Sequence, residues 1–392
     1  MIRLSYNKAT MKTLLFTLEY PPFRGGVANY YGNIVKYWPS LAKTSGGKLE
    51  PNNIFVLHNN DNKLIKNWLY PKWLTAVWQV WKIIKKEKID HILVGHIFPL
   101  GTVAYFISQI TKTPYSVILH GMDFTFALRA RRKRNITKRI LKNAENIICG
   151  NSYTAGLVKK FIGDEYAGKI KVVNPGIESR ITPQMLCKTG QAHNAQRITQ
   201  IKEKYNLDNK LVLLTVGRLV KRKGVDKVLE SLPPVLKKKP NLIYVILGNG
   251  PEIGNLKLEI GNWKLEKNVI LITDADDESR NAWYKICDIF IMPARNIKGD
   301  FEGFGIVYLE ANLAGKPVIA GNSGGARDAV ENGVNGLLVN PEDINEISNA
   351  IIKLAQDENL RKKLGEQGRE RSIREFSWEK QAEKIYNCVT YK

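Results

Sequence analysis

The chain has 392 residues, of which 44% are hydrophobic and 25% charged, which fits two or three globular domains and excludes a disordered protein. Its four cysteines are scattered without a Cys-x-x-Cys pair, which disfavours a zinc site or a disulfide framework and favours a reducing cytosol. No apolar run approaches the roughly 20 residues of a membrane-spanning helix. Met1–Thr10 is too polar for a signal peptide, and Met11 is an alternative start.

The net charge of +23 is concentrated in the N-terminal half. Residues 1–175 hold 27 lysines and arginines against 9 aspartates and glutamates, a net +18. Such a field attracts anionic partners: phospholipid head groups, lipid pyrophosphates or nucleic acid. We do not expect nucleic acid as the partner, because the densest basic run lacks interleaved aromatic residues for stacking and no nucleic-acid-binding motif is recognisable.

Apolar runs of strand length alternate along the chain with amphipathic stretches of helix length. Six strands are predicted in the first half: Thr13–Leu18, Asn53–His58, His91–His96, Tyr115–Leu119, Asn146–Cys149 and Ile170–Val173. Six more are predicted in the second half: Leu211–Val216, Ile243–Leu247, Val269–Ile272, Ile286–Ile291, Pro317–Ala320 and Gly336–Val339. Continuous β-branched runs are typical of parallel strands buried on both faces. The pattern therefore predicts an α/β protein with two doubly wound units.

A turn signal at Asn174-Pro175-Gly176 marks the boundary between these units. We predict an N-terminal domain over residues 1–176, a polar connector with one helix over 177–209, and a C-terminal domain over 210–376. Residues 377–392 form a last helical pattern with no strand after it, for which Ser377 is the predicted N-cap.

The strongest functional signal is a glycine-bearing loop, 301–305, that runs straight into a helical pattern. Its glycines let the backbone approach a ligand, and the free N–H groups at the helix start suit an anion. Glu302 lies in the loop and Glu310 about two turns into the helix, so the two carboxylates could face one elongated polar ligand. Taken singly, Glu302 could equally be an acid that favours the helix dipole, and Glu310 a solvated helix residue.

A second signal follows the predicted strand Leu211–Val216, since open α/β sheets bind ligands at the carboxyl ends of their strands. In Gly-Arg-Leu-Val-Lys-Arg-Lys-Gly, Arg218 and Lys223 would be two cations at one strand tip, suited to a diphosphate. We interpret Lys221 and Arg222 as a solvated basic loop. No Walker pattern occurs in the chain, which disfavours a P-loop ATPase.

Two weaker signals lie in the N-terminal half. Gly25-Gly26 precede a predicted helix over Asn29–Trp38 and would offer N–H donors to a phosphate, although many ordinary turns contain such a pair. His120-Gly-Met-Asp123 lies at the tip of a predicted strand. An isolated histidine is more often a hydrogen-bonded structural group, but the strand-end position favours a functional one.

Two stretches of the N-terminal half carry the composition of a membrane-binding surface. The run Arg129–Arg134 with Lys138 and Arg139 is densely cationic, and a solvated helix is the alternative. The stretch 73–84 predicts an amphipathic helix with tryptophans and lysines, as interfacial helices have. Its apolar stripe could instead cover the sheet, as such stripes usually do.

These motifs, in this order over nearly the whole chain, resemble the family 4 retaining glycosyltransferases. The resemblance also rests on Asn174-Pro175-Gly176-Ile177, Gly248-x-Gly250-Pro251 and Ser323-Gly324-Gly325, and the Glu-x7-Glu segment is its most specific part. It implies the GT-B fold: two Rossmann-like domains facing across a cleft, with the C-terminal helix packing back on the N-terminal domain. The N-terminal domain would take the acceptor, and the C-terminal domain the nucleotide sugar.

The resemblance further implies roles for individual residues. Arg218 and Lys223 would hold the diphosphate, Glu302 would bind hydroxyls of the donor sugar, and His120 would contact that sugar, which makes these four the catalytic set. Donor binding would involve Gly25, Gly26, Asp123, Gly217, Gly248, Gly250, Pro251, Phe304, Gly305, Ile306, Val307 and, for the ribose hydroxyls, Glu310.

Within the family, Met292-Pro-Ala-Arg295 and Gly299-Asp-Phe-Glu302 most resemble bacterial mannosyltransferases that act on phosphatidylinositol mannosides. The implied donor is GDP-mannose first, then UDP-glucose or UDP-N-acetylglucosamine. The implied acceptor is lipid-linked or a glycan, in cell-envelope polysaccharide or glycolipid synthesis. A cytoplasmic protein, peripheral on the inner face of the membrane, would fit this role. A sugar-nucleotide epimerase or a phosphorylase on the same fold is the alternative enzyme class.

The family's usual glycine after the third strand of the C-terminal domain is absent. Thr273-Asp274-Ala275-Asp276-Asp277 stands there, which leaves base recognition open. Asp274-Ala-Asp276 also matches the metal-binding Asp-x-Asp of the other glycosyltransferase fold. We expect neither a metal nor another cofactor, because carboxylates hold Mg²⁺ with the help of a phosphate and two cations already serve the diphosphate.

Overall fold

The computed structural model describes residues 11–23, 25–39, 53–62, 64–66, 69–178 and 188–390. The expectations for Met1–Thr10 and for Cys187 lie outside these residues. The chain divides into two compact units, which are treated separately below: unit 1 is Met1–Gly176 with Trp378–Lys392, and unit 2 is Ile177–Ser377. In the described ranges, no helix is both long and apolar enough to cross a bilayer.

Unit 1 is built on a six-stranded parallel sheet with the order β2-β1-β3-β4-β5-β6. Its strands are β1 (Thr13–Thr17), β2 (Ile54–His58), β3 (His91–Val94), β4 (Tyr115–Leu119), β5 (Ile147–Cys149) and β6 (Ile170–Val172). Its helices are α1 (Gly26–Lys36), α2 (Leu74–Glu87), α3 (Thr102–Thr111), α4 (Met122–Ala127), α5 (Arg131–Asn143), α6 (Ser152–Ile162) and, from the end of the chain, α15 (Trp378–Thr390).

Unit 2 repeats this plan on a second six-stranded parallel sheet, with the order β12-β11-β10-β7-β8-β9. Its strands are β7 (Leu211–Val216), β8 (Leu242–Leu247), β9 (Val269–Ile272), β10 (Ile289–Met292), β11 (Val318–Gly321) and β12 (Gly336–Val339). Its helices are α7 (Lys188–Lys204), α8 (Val225–Lys238), α9 (Ile253–Asn262), α10 (Asp277–Ile286), α11 (Ile306–Leu313), α12 (Ala326–Ala329), α13 (Ile344–Gln356) and α14 (Glu358–Phe376).

The central strands of each sheet are buried on both faces, as their continuous apolar runs predict, whereas Lys171 and Val172 of the edge strand β6 are exposed. In unit 1, one face packs against α2, α3, α5 and α6, and the other against α1 and α15. Trp378, Ile385 and Tyr386 of α15 belong to the latter core, which ties the end of the chain to the first sheet. In unit 2, two separate apolar clusters likewise line the two faces of the sheet.

All twelve predicted strands are present, and all but one have bounds within two residues of the predicted ones. That strand and one helix begin three residues away from their predicted starts. The strand expected over Ile286–Ile291 is Ile289–Met292, because α10 continues to Ile286 and its periodic residues Ala282 and Trp283 are buried. The helix expected over Asn29–Trp38 begins three residues earlier, at Gly26, with extended Gly25 as its N-cap. The sequence offers no Ser, Thr, Asp or Asn at that cap to mark the start.

The amphipathic stretch 73–84 forms α2, but its apolar residues do not share one face. Ala76, Val80 and Ile84 are buried against the sheet. The large side chains of Trp78 and Trp81 are 60% and 42% exposed. The predicted apolar stripe is therefore divided: Ile84 packs inward against the sheet, whereas Leu74, Trp78 and Trp81 face outward.

Candidate active site

The strand order defines where each unit is able to bind a ligand. In unit 2, β7 and β10 are neighbours, and the crossover after β7 runs to β8 on one side whereas the crossover after β10 runs to β11 on the other side. The loops that follow β7 and β10 therefore diverge and open a crevice at the carboxyl edge of the sheet, where open α/β sheets bind their ligands. In unit 1 the same switch point lies between β1 and β3.

Lys223 and Glu302 meet at the switch point of unit 2. Lys223 comes from the loop after β7 and Glu302 from the loop after β10, and its Nζ lies 2.6 Å from Oε2 of Glu302. Arg222 reaches the same oxygen at 2.6 Å, and its Nε lies 3.0 Å from Asp300. Lys223 and Glu302 are only 9% and 8% exposed. We call Arg222, Lys223 and Glu302 the switch-point cluster.

Opposing effects act on the carboxyl group of Glu302. Burial disfavours its ionised form, but the charges of Lys223 and Arg222 outweigh burial and hold the pKa of Glu302 below its ordinary value. Glu302 is therefore an anion at neutral pH. Arg222 and Lys223 are matched in charge by Glu302 and Asp300, so these four side chains together are close to neutral.

The interpretation of Arg222 as a solvated loop residue is wrong. Its side chain is 19% exposed and engages Glu302 and Asp300. The turn that carries it is itself anchored, because the backbone N–H of Arg295 donates to the carbonyl of Arg222 at 2.8 Å. Arg295 is buried and pairs with Asp226 in the first turn of α8. Consecutive basic residues give no sign of which one turns inward, so the sequence pattern could not separate Arg222 from Lys221, which is exposed.

Glycines let the loops after β7 and β8 pack backbone to backbone. Gly248 has a φ of +153°, and a Cβ there would lie 1.9 Å from the carbonyl oxygen of Gly217. A Cβ on Gly250 would lie 2.2 Å from the carbonyl oxygen of Leu219. Gly248 and Gly250, which are predicted to bind the donor, thus also determine the course of the loop that carries Arg218 and Lys223.

Glu310 lies on α11, and its carboxylate is held by a buried tyrosine. The hydroxyl of Tyr284 on α10 donates to Oε2 of Glu310 at 2.7 Å. Burial, followed by the charge of Glu310, raises the pKa of Tyr284 well above its ordinary value, so this hydroxyl keeps its proton. A carboxylate has about four acceptor positions, and Glu310 is partly exposed, so it can accept further hydrogen bonds.

The remaining residues predicted in unit 2 lie on the loops after β7 and β8 and around the start of α11. Arg218 is exposed beside Gly217 at the end of β7, and Pro251 follows the Gly250 turn. Gly305 is the left-handed N-cap of α11, with a φ of 78°, and Ile306 and Val307 form the first turn of that helix. Phe304 is buried against Phe376, so that its side chain belongs to the core and only its backbone can serve a ligand.

The acidic stretch after β9 has a structural partner. Asp276 caps α10 by accepting from the N–H of Ser279 at 2.7 Å, and Arg197 of α7 donates to both of its oxygens. Arg197 also pairs with Glu278. Asp276 is therefore engaged in tying α7 to α10, and Asp274 is left as the exposed acid at the end of β9.

His120 lies at the carboxyl end of β4 in unit 1, within a network of rings. Its Nε2 is 2.9 Å from the hydroxyl of Tyr31, which also lies 2.6 Å from the carbonyl oxygen of Gly95. The ring of Tyr30 packs edge-on against His120, with centroids 4.8 Å apart. Burial, followed by the neighbouring His96, lowers the pKa of His120 to about 3, so its ring is neutral at physiological pH.

Asp123 and the paired glycines complete the predicted set in unit 1. Oδ1 of Asp123 accepts from the backbone N–H groups of His120 and Gly121 at 3.1 and 3.0 Å, which fixes the strand-to-helix turn that presents His120. Burial raises the pKa of Asp123 to about 6, against the opposing effect of these hydrogen bonds. Gly26 is the first residue of α1, and a Cβ built on it would have no described atom within 4 Å. No acidic residue occupies the first turn of that helix.

A stability test follows from His96, at the switch point of unit 1. Burial lowers the pKa of His96 to about 4, against about 6.5 in an unfolded chain. Between these values the unfolded chain binds a proton that the folded chain does not, so stability falls as the pH drops from about 6.5 to about 4. Urea titrations at pH 7 and at pH 4.5 measure this decrease in the free energy of unfolding. We expect the decrease to be smaller in the His96→Gln variant than in the unaltered protein. Equal losses in both proteins would contradict the burial of a neutral His96.

Family models match both halves of the chain. Residues 24–180 match the model described as Glycosyltransferase Family 4, and residues 197–371 match the model described as Glycosyl transferases group 1. Together these matches cover most of both units.

Curated relatives span most of the chain. A GDP-mannose-dependent alpha-(1-6)-phosphatidylinositol monomannoside mannosyltransferase of Mycobacterium tuberculosis is 24% identical over 95% of this chain and 97% of its own length. The capsular polysaccharide biosynthesis glycosyltransferase CapM of Staphylococcus aureus is 34% identical over 74% of this chain and 73% of its own length.

Solved structures show the same architecture. Alr3699/HepE of Anabaena, crystallised in complex with UDP, is similar with a TM-score of 0.73 and 20% identity, over 96% of this chain and 98% of that one. At this identity the likeness shows the fold, which is GT-B, as expected from the sequence. With both family models matched and CapM 34% identical, the chain belongs to the family 4 glycosyltransferases and is a hexosyltransferase.

Proposed function

We propose that this hexosyltransferase retains the configuration of the transferred sugar and takes a hexose from a nucleoside-diphosphate sugar, with GDP-mannose as the first candidate. The acceptor is a lipid-linked sugar or a glycan of the cell envelope. One observation carries the proposal: Lys223 and Arg222 converge on Glu302 at the switch point of unit 2. Such a site offers a cationic contact for a diphosphate directly beside a carboxylate that can bind sugar hydroxyls.

The reaction needs no protein nucleophile in this proposal. The bond between the anomeric carbon and the leaving phosphate oxygen breaks through an oxocarbenium-like state. The acceptor hydroxyl forms the new bond from the same face and passes its proton to a leaving phosphate oxygen. Arg218 and Lys223 stabilise the charge that builds on the diphosphate, which is the role a metal ion would otherwise fill. Catalysis then consists mainly of charges fixed in place before the bond breaks.

The two carboxylates divide the donor between them. Glu302, held by two cations, lies next to the diphosphate and accepts hydrogen bonds from hydroxyls of the hexose. Glu310, oriented by Tyr284, lies farther along α11 and accepts hydrogen bonds from the ribose hydroxyls. In unit 1, His120 offers its neutral ring to a sugar hydroxyl, and the first turn of α1 at Gly26 offers backbone N–H donors to a phosphate.

The choice of GDP-mannose rests on relatives, and UDP-sugars are the second candidate. Mannosyltransferases named as GDP-mannose-dependent are similar to this chain over nearly its full length. The crystallised HepE, in contrast, holds UDP.

A ligand panel and a product analysis test the proposal. We expect GDP and GDP-mannose to raise the unfolding temperature more than UDP, UDP-glucose or UDP-N-acetylglucosamine at equal concentration, because the preferred donor has the lower Kd. A ligand at 100 times its Kd stabilises the folded state by about 2.7 kcal/mol. A larger shift with a UDP-sugar would favour the second candidate. Nucleoside diphosphate should appear only when an acceptor is supplied, which separates a transferase from an epimerase, and proton NMR of the product should show the anomeric configuration of the donor. An inverted product would refute the proposal.

We further propose that unit 1 binds an anionic membrane through the outer faces of α2, α3 and α5, which we call the three-helix face. These helices neighbour one another on one side of the sheet. Exposed apolar side chains there are Leu74, Trp78, Trp81, Phe106 and Ile110. The exposed cations of α5 are Arg131, Arg132, Lys133, Arg134, Lys138 and Arg139. Within the described part of the chain no carboxylate pairs with these six. Each lysine or arginine near an anionic surface contributes about 1 kcal/mol.

Vesicle sedimentation tests the three-helix face. We expect binding to vesicles that contain phosphatidylglycerol, little binding to pure phosphatidylcholine, and release by high salt. Exchanging Arg131, Arg132 and Lys133 for glutamate should abolish binding, and Trp78→Ser should weaken it. Trp263→Ser is the matched control, because Trp263 is 45% exposed on unit 2 and lies outside this face. Binding that ignores salt and lipid charge, or an equal effect of Trp263→Ser, would contradict this assignment.

A further inference from the structure

The hydroxyl of Tyr31 lies between His120 and the carbonyl of Gly95, and it can donate its single proton to only one of them. The hydroxyl oxygen is 2.6 Å from the oxygen of Gly95 and 2.9 Å from Nε2 of His120. A carbonyl oxygen accepts and never donates, so Tyr31 donates to Gly95. The contact with His120 is then a hydrogen bond only if Nε2 carries a proton and donates to Tyr31.

The other nitrogen of His120 follows from this assignment. A neutral imidazole has one protonated and one unprotonated nitrogen, so Nδ1 of His120 carries a lone pair. Across the described residues, no group forms a hydrogen bond with this Nδ1. The side chain is partly exposed at the carboxyl edge of the sheet, at the end of β4. His120 thus offers an acceptor, rather than a donor, to whatever binds there.

The surroundings of Tyr31 are built to keep its hydroxyl in place. Tyr31 is fully buried, and its pKa is raised well above the ordinary value by burial. A Cβ on Gly95 would lie 2.8 Å from the hydroxyl oxygen of Tyr31 and 3.0 Å from Oγ1 of Thr17. The absence of a side chain at position 95 therefore admits the tyrosine to the switch point between β1 and β3.

We propose that Tyr31 is a positioning residue that fixes His120 as the Nε2-protonated tautomer, so that Nδ1 accepts a hydrogen bond from a hydroxyl of the donor hexose. This inference rests on the proposed function, in which His120 contacts the donor sugar. As positive charge builds on the sugar ring, its hydroxyls become better donors, and their hydrogen bonds to Nδ1 strengthen in the transition state. An interaction that strengthens in this way raises kcat more than it lowers KM.

Tyr30 provides a matched control for Tyr31. It precedes Tyr31 on α1, is also buried, and packs its ring against His120. Among the residues that the structure describes, its hydroxyl has no hydrogen-bond partner, in contrast to that of Tyr31. Tyr30→Phe and Tyr31→Phe therefore remove the same atom from neighbouring rings, and only the second change removes an acceptor from Nε2 of His120.

Nitrogen NMR of the full chain labelled with ¹⁵N-histidine tests the proposal. The chain has five histidines, so His120→Asn identifies the two signals of His120. At pH 7 we expect the unaltered protein to show a protonated Nε2 and an unprotonated Nδ1. Tyr31→Phe should introduce the Nδ1-protonated form and lower kcat about 3- to 10-fold, as expected for one lost hydrogen bond between neutral groups. KM for the donor should change less than twofold, and Tyr30→Phe should keep both the signals and the turnover.

A protonated Nδ1 or a charged ring in the unaltered protein would overturn the inference, as would Tyr31→Phe with unchanged tautomer and turnover. The spectrum of the unaltered protein decides the tautomer even if Tyr31→Phe fails to fold. Because this spectrum needs no substrate, failure of the tautomer assignment and failure of the proposed reaction are distinguishable: the latter would appear as no transfer from any nucleotide sugar.

Discussion

Lys223→Ala is expected to lower kcat about 100-fold or more, the scale of losing one fixed charge at a centre where negative charge develops. Lys223 is buried at the switch point of unit 2, where its ammonium group lies 2.6 Å from Glu302. In the proposed reaction the leaving diphosphate gains negative charge in the transition state, and this ammonium group would stabilise that charge more strongly than it stabilises the bound donor. Steady-state transfer assays with saturating donor measure the change directly.

The same turn supplies the control for this variant. Lys221 is two residues earlier and exposed, so Lys221→Ala removes the same charge from the same turn and should leave kcat within about twofold. Glu302 keeps Arg222 as a partner in Lys223→Ala, so that the fold should persist. Near-normal turnover of Lys223→Ala, or equal losses in both variants, would contradict the role assigned to Lys223.

Glu310→Ala is expected to lower kcat/KM for the donor about 100-fold, mainly through a higher KM. Hydrogen bonds to a charged group contribute about 1.5–3 kcal/mol each, and the ribose hydroxyls are present in both the ground state and the transition state. Removing uniform binding of this kind raises KM more than it changes kcat. Initial rates at varied donor concentration measure both constants.

Tyr284→Phe provides a milder test of the same role of Glu310. The variant keeps the carboxylate of Glu310 but removes the hydroxyl that orients it at 2.7 Å. We expect a 3- to 10-fold increase in KM, smaller than that of Glu310→Ala. An unchanged KM in Glu310→Ala would show that this carboxylate does not hold the ribose.

The fold was predictable because its signal is repeated. Twelve mostly apolar runs, alternating with helix-length amphipathic stretches, leave few arrangements other than two parallel sheets. The motif glycines added positions where loops must approach one another closely, as Gly248 approaches Gly217. The boundary of β10 was missed because Ile286 ends a helix with the same apolar character as the strand that follows.

The site was predictable only in part, because contacts between distant residues leave no local pattern. Arg222 and Lys221 look alike in the sequence, and only the packing of Arg295 and Asp300 against that turn draws Arg222 inward. Tyr284 and Tyr31 resemble ordinary core tyrosines until the structure places their hydroxyls beside Glu310 and His120. A polar hydroxyl on an otherwise apolar helix face was the one available sign of either residue.

The central claim is that the switch-point cluster of unit 2 grips the diphosphate of a sugar-nucleotide donor. Calorimetric titration of a nucleoside diphosphate and the matching monophosphate, with the preferred base, into the unaltered protein and into Lys223→Ala tests it most directly. We predict that the unaltered protein binds the diphosphate at least 10-fold more tightly, a preference of about 1.4 kcal/mol, and that Lys223→Ala loses most of this preference while still binding the monophosphate. An equal preference in both proteins would contradict the claim.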